Sequence, residues 1–314
     1  MNILIRVNSS SSIGLGHLSR CLVLANKYKK KNNRVIFACE ELKGNANNLI
    51  LEKGFELLIL KNQNVEELID ACKVNNIDLI VLDSYEFDYK YEKSIKQKLD
   101  IKLLCFDDTY EKHYCDILLN HNISAKKSKY KNKVPKFCKL KCGSKFTLLR
   151  DEFTKSKKVK YSKTKKLNRV LVMIGGTDHS FINIKILEAL LESKSDFKID
   201  VVTTTSNANL KDLEKYIQNK KSITLHVNSL EVAKLMSKND FAIITPSVTL
   251  NEVMYMKLPF IAVKTAKNQK FMYEFLREKR LLVLKKFKKR EFKNNLDFLI
   301  KNYKKIYKRS LIFK

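Results

Sequence analysis

Glycine is scarce in this chain of 314 residues: there are seven, and four of them fall in two short loops. Gly14 and Gly16 lie in Ser9-Ser10-Ser11-Ser12-Ile13-Gly14-Leu15-Gly16-His17-Leu18-Ser19-Arg20, directly after the apolar run Ile3-Leu4-Ile5-Arg6-Val7. Gly175 and Gly176 lie in Ile174-Gly175-Gly176-Thr177-Asp178, directly after Val170-Leu171-Val172-Met173. A chain so poor in glycine keeps it where a side chain would obstruct something. Both places read as strand-to-helix turns, whose backbone N–H groups and helix N-terminus can receive an anion. Also lacking is any apolar run near the ~18–20 residues of a membrane span, which excludes stable membrane insertion by a helix. The opening Met1-Asn2-Ile3-Leu4-Ile5 reads as a strand and not as a basic-then-apolar leader, so a cytoplasmic protein is expected. The seven cysteines follow no repeated spacing, which argues for reduced thiols and against a disulfide framework.

Acidic residues are the other shortage. There are 33 against 63 lysines and arginines, a formal net charge of +30, with lysine outnumbering arginine about sixfold. Such a charge attracts polyanions at long range. Dedicated nucleic-acid surfaces, however, favour arginine forks and aromatic stacking platforms, and no such cluster stands in the sequence. A solvated lysine-rich surface is therefore expected, with no nucleic-acid partner. At 44% apolar residues the composition is that of a globular protein, long enough for two domains with a core each.

Strand-like and helix-like segments alternate through the first half. Strands are expected over residues 3–7, 35–38, 57–60, 79–82, 102–106 and 117–119, and amphipathic helices over 18–29, 46–53, 65–75 and 89–99. This rhythm means right-handed crossovers and a parallel, doubly wound α/β sheet. It lapses over residues 125–168, which are lysine-rich and contain Pro135, and resumes at Arg169 with strand, glycine loop and helix again. The expected domains are 1–150 and 168–290, joined by an interdomain segment at 151–167 and followed by a basic helix at 291–314. In that tail Phe292, Leu296, Leu299, Tyr303, Ile306 and Tyr307 recur at helical spacing between lysines, a stripe for the protein's own core or for a membrane surface.

The motifs exclude as much as they suggest. Gly14-Leu15-Gly16-His17-Leu18-Ser19-Arg20 lacks the third glycine of a dinucleotide fingerprint, and no Gly-Lys-Ser/Thr follows as a P-loop requires. A histidine in the first turn of a helix faces the positive end of the macrodipole, which opposes protonation, and a neutral imidazole at a ligand-facing turn suits a general base. Pro246-Ser247-Val248-Thr249-Leu250-Asn251-Glu252 also follows a strand and opens a helix. Its hydroxyls and free N–H groups suit phosphates and Glu252 a ribose diol, while on local grounds alone plain N-capping with Glu252 closing a capping box is the preferred explanation. His113, Cys115, His121, Cys138 and Cys142 match no standard zinc spacing, so no metal is expected. Asp107-Asp108 ends a strand, and polar contacts at the sheet edge or a helix cap are expected there ahead of a divalent cation.

Taken in order, these loops combine with Phe106-Asp107-Asp108, Cys115-Asp116-Ile117-Leu118-Leu119-Asn120, Cys142-Gly143, Leu148-Leu149-Arg150-Asp151-Glu152-Phe153, Leu250-Asn251-Glu252 and Asn268-Gln269. The set resembles, from residue 1 to about 280, the UDP-sugar hydrolases of pseudaminic acid biosynthesis, which remove UDP from UDP-2,4-diacetamido-2,4,6-trideoxy-β-L-altrose. The resemblance implies a MurG-like GT-B fold, two doubly wound Rossmann-like domains with the active site in the cleft between them. It implies His17 as the residue that directs water at the anomeric carbon with inversion, and Gly14, Gly16 and Arg20 as substrate contacts beside it. Gly175, Gly176, Thr177, Ser247 and Thr249 would lie near the diphosphate and Glu252 on the ribose. Asn268 and Gln269 would approach the sugar or diphosphate, and Tyr85 the sugar. Val248 stands where the family more often has a small or hydroxylated residue. No cofactor and no metal is implied, the partner is a UDP-linked diacetamido sugar, and a monomer is expected. A GT-B glycosyltransferase passing the sugar to an acceptor, and a basic nucleic-acid-binding protein, are the alternatives.

Overall fold

The computed structural model describes residues 1–159, 167–175, 178 and 181–311. The chain divides into two compact units, Met1–Leu148 and Leu149–Lys314. The first carries β1 (Asn2–Val7), β2 (Arg34–Glu40), β3 (Glu56–Leu60), β4 (Leu79–Asp83), β5 (Lys102–Phe106), β6 (Ile117–Asn120) and β7 (Lys139–Cys142). They form one sheet in the order β3-β2-β1-β4-β5-β6-β7, every pair parallel. The second carries β8 (Arg169–Met173), β9 (Lys198–Thr203), β10 (Ile223–Val227), β11 (Phe241–Ile244), β12 (Phe260–Val263) and β13 (Val283–Leu284). These order as β10-β9-β8-β11-β12-β13, again all parallel.

Central parallel strands are covered on both faces, so they read as continuous apolar runs. β4 is buried along its whole length, and Ile3, Ile5, Val7, Phe37 and Val81 pack with Leu18, Cys21 and Ala25 of the helix Gly16–Lys29. In each sheet the order reverses once, between β1 and β4 and between β8 and β11. Right-handed crossovers that change direction there leave a crevice beyond the carboxyl ends of those two strands, the usual ligand position in an open α/β sheet.

A buried charge interrupts the first core at β1. Arg6 in β1 is fully buried, with Nη2 2.5 Å from Glu40 Oε1, Nη1 2.6 Å from Asn8 Oδ1, and its guanidinium over the Phe87 ring. Removing one partner of such a pair strands a buried charge and costs about 3–5 kcal/mol. The network braces the point where β1 passes into the loop at residues 8–15.

Two segments differ from the sequence reading. Within the lysine-rich stretch, Lys139–Cys142 forms a seventh strand on β6, from Ile117↔Lys139 to Asn120↔Cys142. It is a half-buried edge strand, and lysine is what edges tolerate. Residues 151–155, read as part of an interdomain segment, form the helix Asp151–Lys155 with Phe153 fully buried. Residues 160–166 lie outside the described residues. The basic tail is two helices, Lys289–Lys301 and Tyr303–Ser310, and Phe292, Leu296 and Leu299 are buried in the second unit's core. The apolar stripe therefore serves the protein's own packing. Among the described residues no helix is long and apolar enough to cross a membrane.

Candidate active site

The first glycine loop sits at the carboxyl end of β1, where the order of the first sheet reverses. Gly14 has φ +78°, a left-handed conformation that favours glycine, and its N–H donates to Ser10 O at 2.8 Å. Ser10 Oγ accepts the N–H groups of Ser12 and Ile13, which closes the loop on itself. The helix Gly16–Lys29 then starts without a capping side chain and without an acid in its first turn. The first N–H groups of a helix lack intrahelical acceptors, so this end is electropositive and open to hydrogen bonding. A Cβ added at Gly16 would meet no protein atom within 4 Å.

His17, in that first turn, faces the end of β4. Its Nδ1 lies 2.6 Å from Asp83 Oδ1. Burial alone would raise the Asp83 pKa, but Arg20 and then His17 outweigh it and hold the carboxyl well below the ordinary range. An ionised carboxylate at this distance requires the proton on Nδ1, so in the neutral tautomer the lone pair is on Nε2. Arg20 Nη2, 3.1 Å from the same Nδ1, is then a close neighbour and not its donor. Arg20 grips Asp83 through Nε at 2.7 Å and Nη2 at 2.5 Å, and reaches Asp108 through Nη1 at 2.9 Å. Cys21 Sγ adds a contact to Asp83 Oδ2. Tyr85, half exposed, donates to Asp108 Oδ1 at 2.8 Å and stands edge-on to the His17 ring, with centroids 4.8 Å apart.

Arg20, expected as a substrate contact, is buried with its guanidinium engaged by Asp83 and Asp108. Asp83 itself was not legible as a site residue, although an acid ending a central apolar strand two residues before Tyr85 was a usable signal. Asp107 and Asp108, expected at the sheet edge, divide the work. Asp107 accepts from Thr109, Tyr110 and Tyr130, and Asp108 joins the Arg20 network.

In the second unit Gly175 follows β8 with φ +85°, and a Cβ there would meet no atom of the described residues within 4 Å. Gly176 and Thr177 lie outside the described residues. Asp178 holds the start of the next helix, accepting from the N–H groups of Ile182 and Asn183. At the end of β11 the helix Val248–Tyr255 begins after Ser247, whose hydroxyl pairs with Thr245 Oγ1 at 3.0 Å and does not cap the helix. Nor does Glu252 close a capping box with Thr249: the helix starts after Ser247, which puts Thr249 inside it, and the Glu252 carboxylate accepts from Arg150 at 3.1 Å. The helix end stays uncapped, and Ser247, Thr249 and Glu252 stand at the second sheet's reversal point. Gln269 turns its Oε1 onto the N–H groups of Thr265 and Ala266, bracing the loop after β12, while Asn268 is exposed.

The histidine and cysteine scatter resolves into a different set. Glu92, Cys105 and His113 bring ligand-type atoms within 4.8 Å of one another. His113 Nδ1 is 2.6 Å from Glu92 Oε1, a hydrogen-bond length shorter than two ligands on one metal would show. Burial disfavours the imidazolium, yet Asp107 and Glu92 outweigh it and push the His113 pKa up to about 9. This is a buried ion triad. His121, fully buried, is lowered to about 3 by burial and the Arg20 charge. Burial also pushes the Cys39, Cys72 and Cys105 thiols up to about 12, which makes them inert. A concavity of about 530 Å³ lies at the first residues of β5, β6 and β7, on the sheet edge opposite His17.

No family model matches the chain. It is 37% identical over 279 residues to the UDP-2,4-diacetamido-2,4,6-trideoxy-β-L-altropyranose hydrolase of Campylobacter jejuni, covering 89% of this chain and 97% of that protein. Among solved structures, MurG of Acinetobacter baumannii superposes with a TM-score of 0.66 at 13% identity, over 99% of this chain and 93% of that one. Anabaena HepE in complex with UDP and glucose gives 0.63 at 12% identity, over 99% and 92%. The fold is thus that of the GT-B glycosyltransferases. Identity at this level along almost the whole length of the Campylobacter protein means that the chain belongs to the family of UDP-2,4-diacetamido-2,4,6-trideoxy-β-L-altropyranose hydrolases.

Proposed function

We propose that the protein hydrolyses UDP-2,4-diacetamido-2,4,6-trideoxy-β-L-altrose to UDP and the free sugar, by attack of water at the anomeric carbon with inversion, as a step of pseudaminic acid biosynthesis. The observation that carries this is the His17–Asp83 pair at the carboxyl ends of β1 and β4, beside an uncapped helix N-terminus. Nε2 of His17 takes a proton from the attacking water, and Nδ1–H stays on Asp83, which stabilises the imidazolium as it forms. Arg20 keeps Asp83 ionised and in register. Tyr85, beside the ring and half exposed, is placed to meet the sugar.

UDP is a good leaving group, so the strong general acid of a paired-carboxylate glycosidase is not required. Its departure calls for N–H groups and hydroxyls on the diphosphate. We assign these in the second unit to the loop of Gly175, Gly176 and Thr177 and to Ser247 and Thr249, with Glu252 on the ribose. HepE, of the same fold, is described with UDP bound. No step calls on a metal.

The test is hydrolysis of a panel of UDP-diacetamido sugars in ¹⁸O-water, with and without excess chelator and with no acceptor present. The altrose derivative should give UDP and free sugar at equal rate in both, with the label on the C1 hydroxyl and none in UDP. Label in the phosphate would mean attack at phosphorus and would remove this mechanism. Turnover only after an acceptor is added would make the protein a glycosyltransferase.

A further inference from the structure

The stretch Leu148-Leu149-Arg150-Asp151-Glu152-Phe153 has no part in the reaction as described, yet the structure gives it a definite target. Arg150 stands just before the helix Asp151–Lys155, its guanidinium 4.9 Å from the centroid of the fully buried Phe153 ring. Nη1 binds Glu152 Oε1 at 2.7 Å, and Glu152 Oε2 accepts the N–H of Ala233 at 2.9 Å, in the first turn of the helix Val232–Lys238. The fork is thus held from two sides. Its free edge, Nε and Nη2, meets Oε1 of Glu252, each at 3.1 Å, and Oε2 takes no part in this contact.

We infer that Arg150 is the positioning residue of a ribose subsite: it keeps the Glu252 carboxylate ionised and turned so that it accepts both hydroxyls of a nucleotide's ribose. The inference rests on the proposed placement of the ribose at Glu252. The Glu252 side chain is only 9% exposed. Burial holds its pKa above the ordinary carboxylate value, Arg150 limits that rise, and Glu152 adds to it. A protonated Glu252 would present a donor where a diol needs an acceptor, and its remaining bond would lose the strength that charge confers. Lysine cannot replace the fork, because a point charge fixes no plane.

The experiment measures calorimetric affinity of the full chain for UDP and for 2′,3′-dideoxy-UDP between pH 5.5 and 8.5. The readout is their ratio, in which titration of the phosphate cancels. The wild-type ratio should be about tenfold to a hundredfold and flat with pH. Glu252→Gln should collapse it. Arg150→Gln should cut it to a few-fold, with the ratio growing as pH rises, while the affinity for dideoxy-UDP stays within about twofold. Arg150→Lys should restore the flat pH profile but not the full ratio. A wild type that does not distinguish the two ligands overturns the ribose reading of Glu252 itself. If wild type and Glu252→Gln differ while Arg150→Gln keeps the wild-type ratio at every pH, the positioning role is wrong. Equal weakening of both ligands by Arg150→Gln also overturns it, in favour of a purely structural contact.

Discussion

At the scale of single residues, Asp83 decides which nitrogen of His17 is left for the proposed substrate. With Nδ1 bound to a carboxylate held ionised by Arg20, Nε2 is the base in the proposed mechanism. An amide at position 83 removes that constraint, since its NH₂ can donate to Nδ1 and leave the proton on Nε2. Asp83→Asn is therefore expected to lower kcat by about 10² to 10⁴, the usual worth of general acid–base help, with KM near wild type. It also leaves Arg20 leaning on Asp108 alone, so a thermal melt must accompany the kinetics. His17→Asn, which leaves the Arg20–Asp83 pair intact, should show a similar kcat loss with UDP affinity unchanged. Near-normal turnover in a folded Asp83→Asn variant would make the pair structural. His17 was legible because a histidine after Gly-x-Gly at a strand–helix turn is conspicuous locally. Asp83 was not, because its meaning arises from a partner 66 positions away.

At the scale of elements, what could be read were the segments whose burial is continuous. β1, β2, β4, β8, β11 and β12 are apolar runs because both faces are covered, and the sequence shows this directly. The edge strand Lys-Leu-Lys-Cys at 139–142 carries no such run and takes its place from pairing alone. Capping misled for a related reason: Thr249 and Glu252 have capping-box spacing, but the helix starts after Ser247, so Thr249 lies inside it. The segment after β5 makes a further prediction. His113 lies at about 9 when folded against an ordinary value near 6.5, so its contribution to stability is fully present below about pH 6.5 and is lost as pH rises through 9. Asp107 behaves oppositely. Held at about 2, it contributes above its ordinary value near 3.9 and loses this as pH falls through 2. The Tm difference between wild type and His113→Gln should therefore be largest near pH 6 and shrink towards pH 9.5. A difference that stays constant over that range would show that His113 is not held as an imidazolium.

At the scale of the whole molecule, the net charge of +30 and the chemistry of the sites pull towards different partners. Two parallel sheets each place a strand–helix turn at their reversal point, an arrangement for small anions. The surface charge is spread over lysines, with a concentration at the C-terminal helices, where Lys301, Lys304, Lys305, Lys308 and Arg309 line a concavity of about 560 Å³. Nucleic-acid binding by such a surface depends on counterion release, so it falls steeply with salt in proportion to the phosphates neutralised. UDP offers two phosphates to fixed N–H groups and hydroxyls and responds far less. Raising salt from 50 to 500 mM should abolish retention on single-stranded DNA while the UDP dissociation constant changes by less than about tenfold. The triple variant Lys304→Glu, Lys305→Glu, Lys308→Glu should weaken DNA retention at low salt and leave hydrolysis at the wild-type rate, since none of these side chains belongs to either strand–helix turn. DNA binding that survives 500 mM salt, or a triple variant that loses hydrolysis, would assign the basic face to function instead of to solvation.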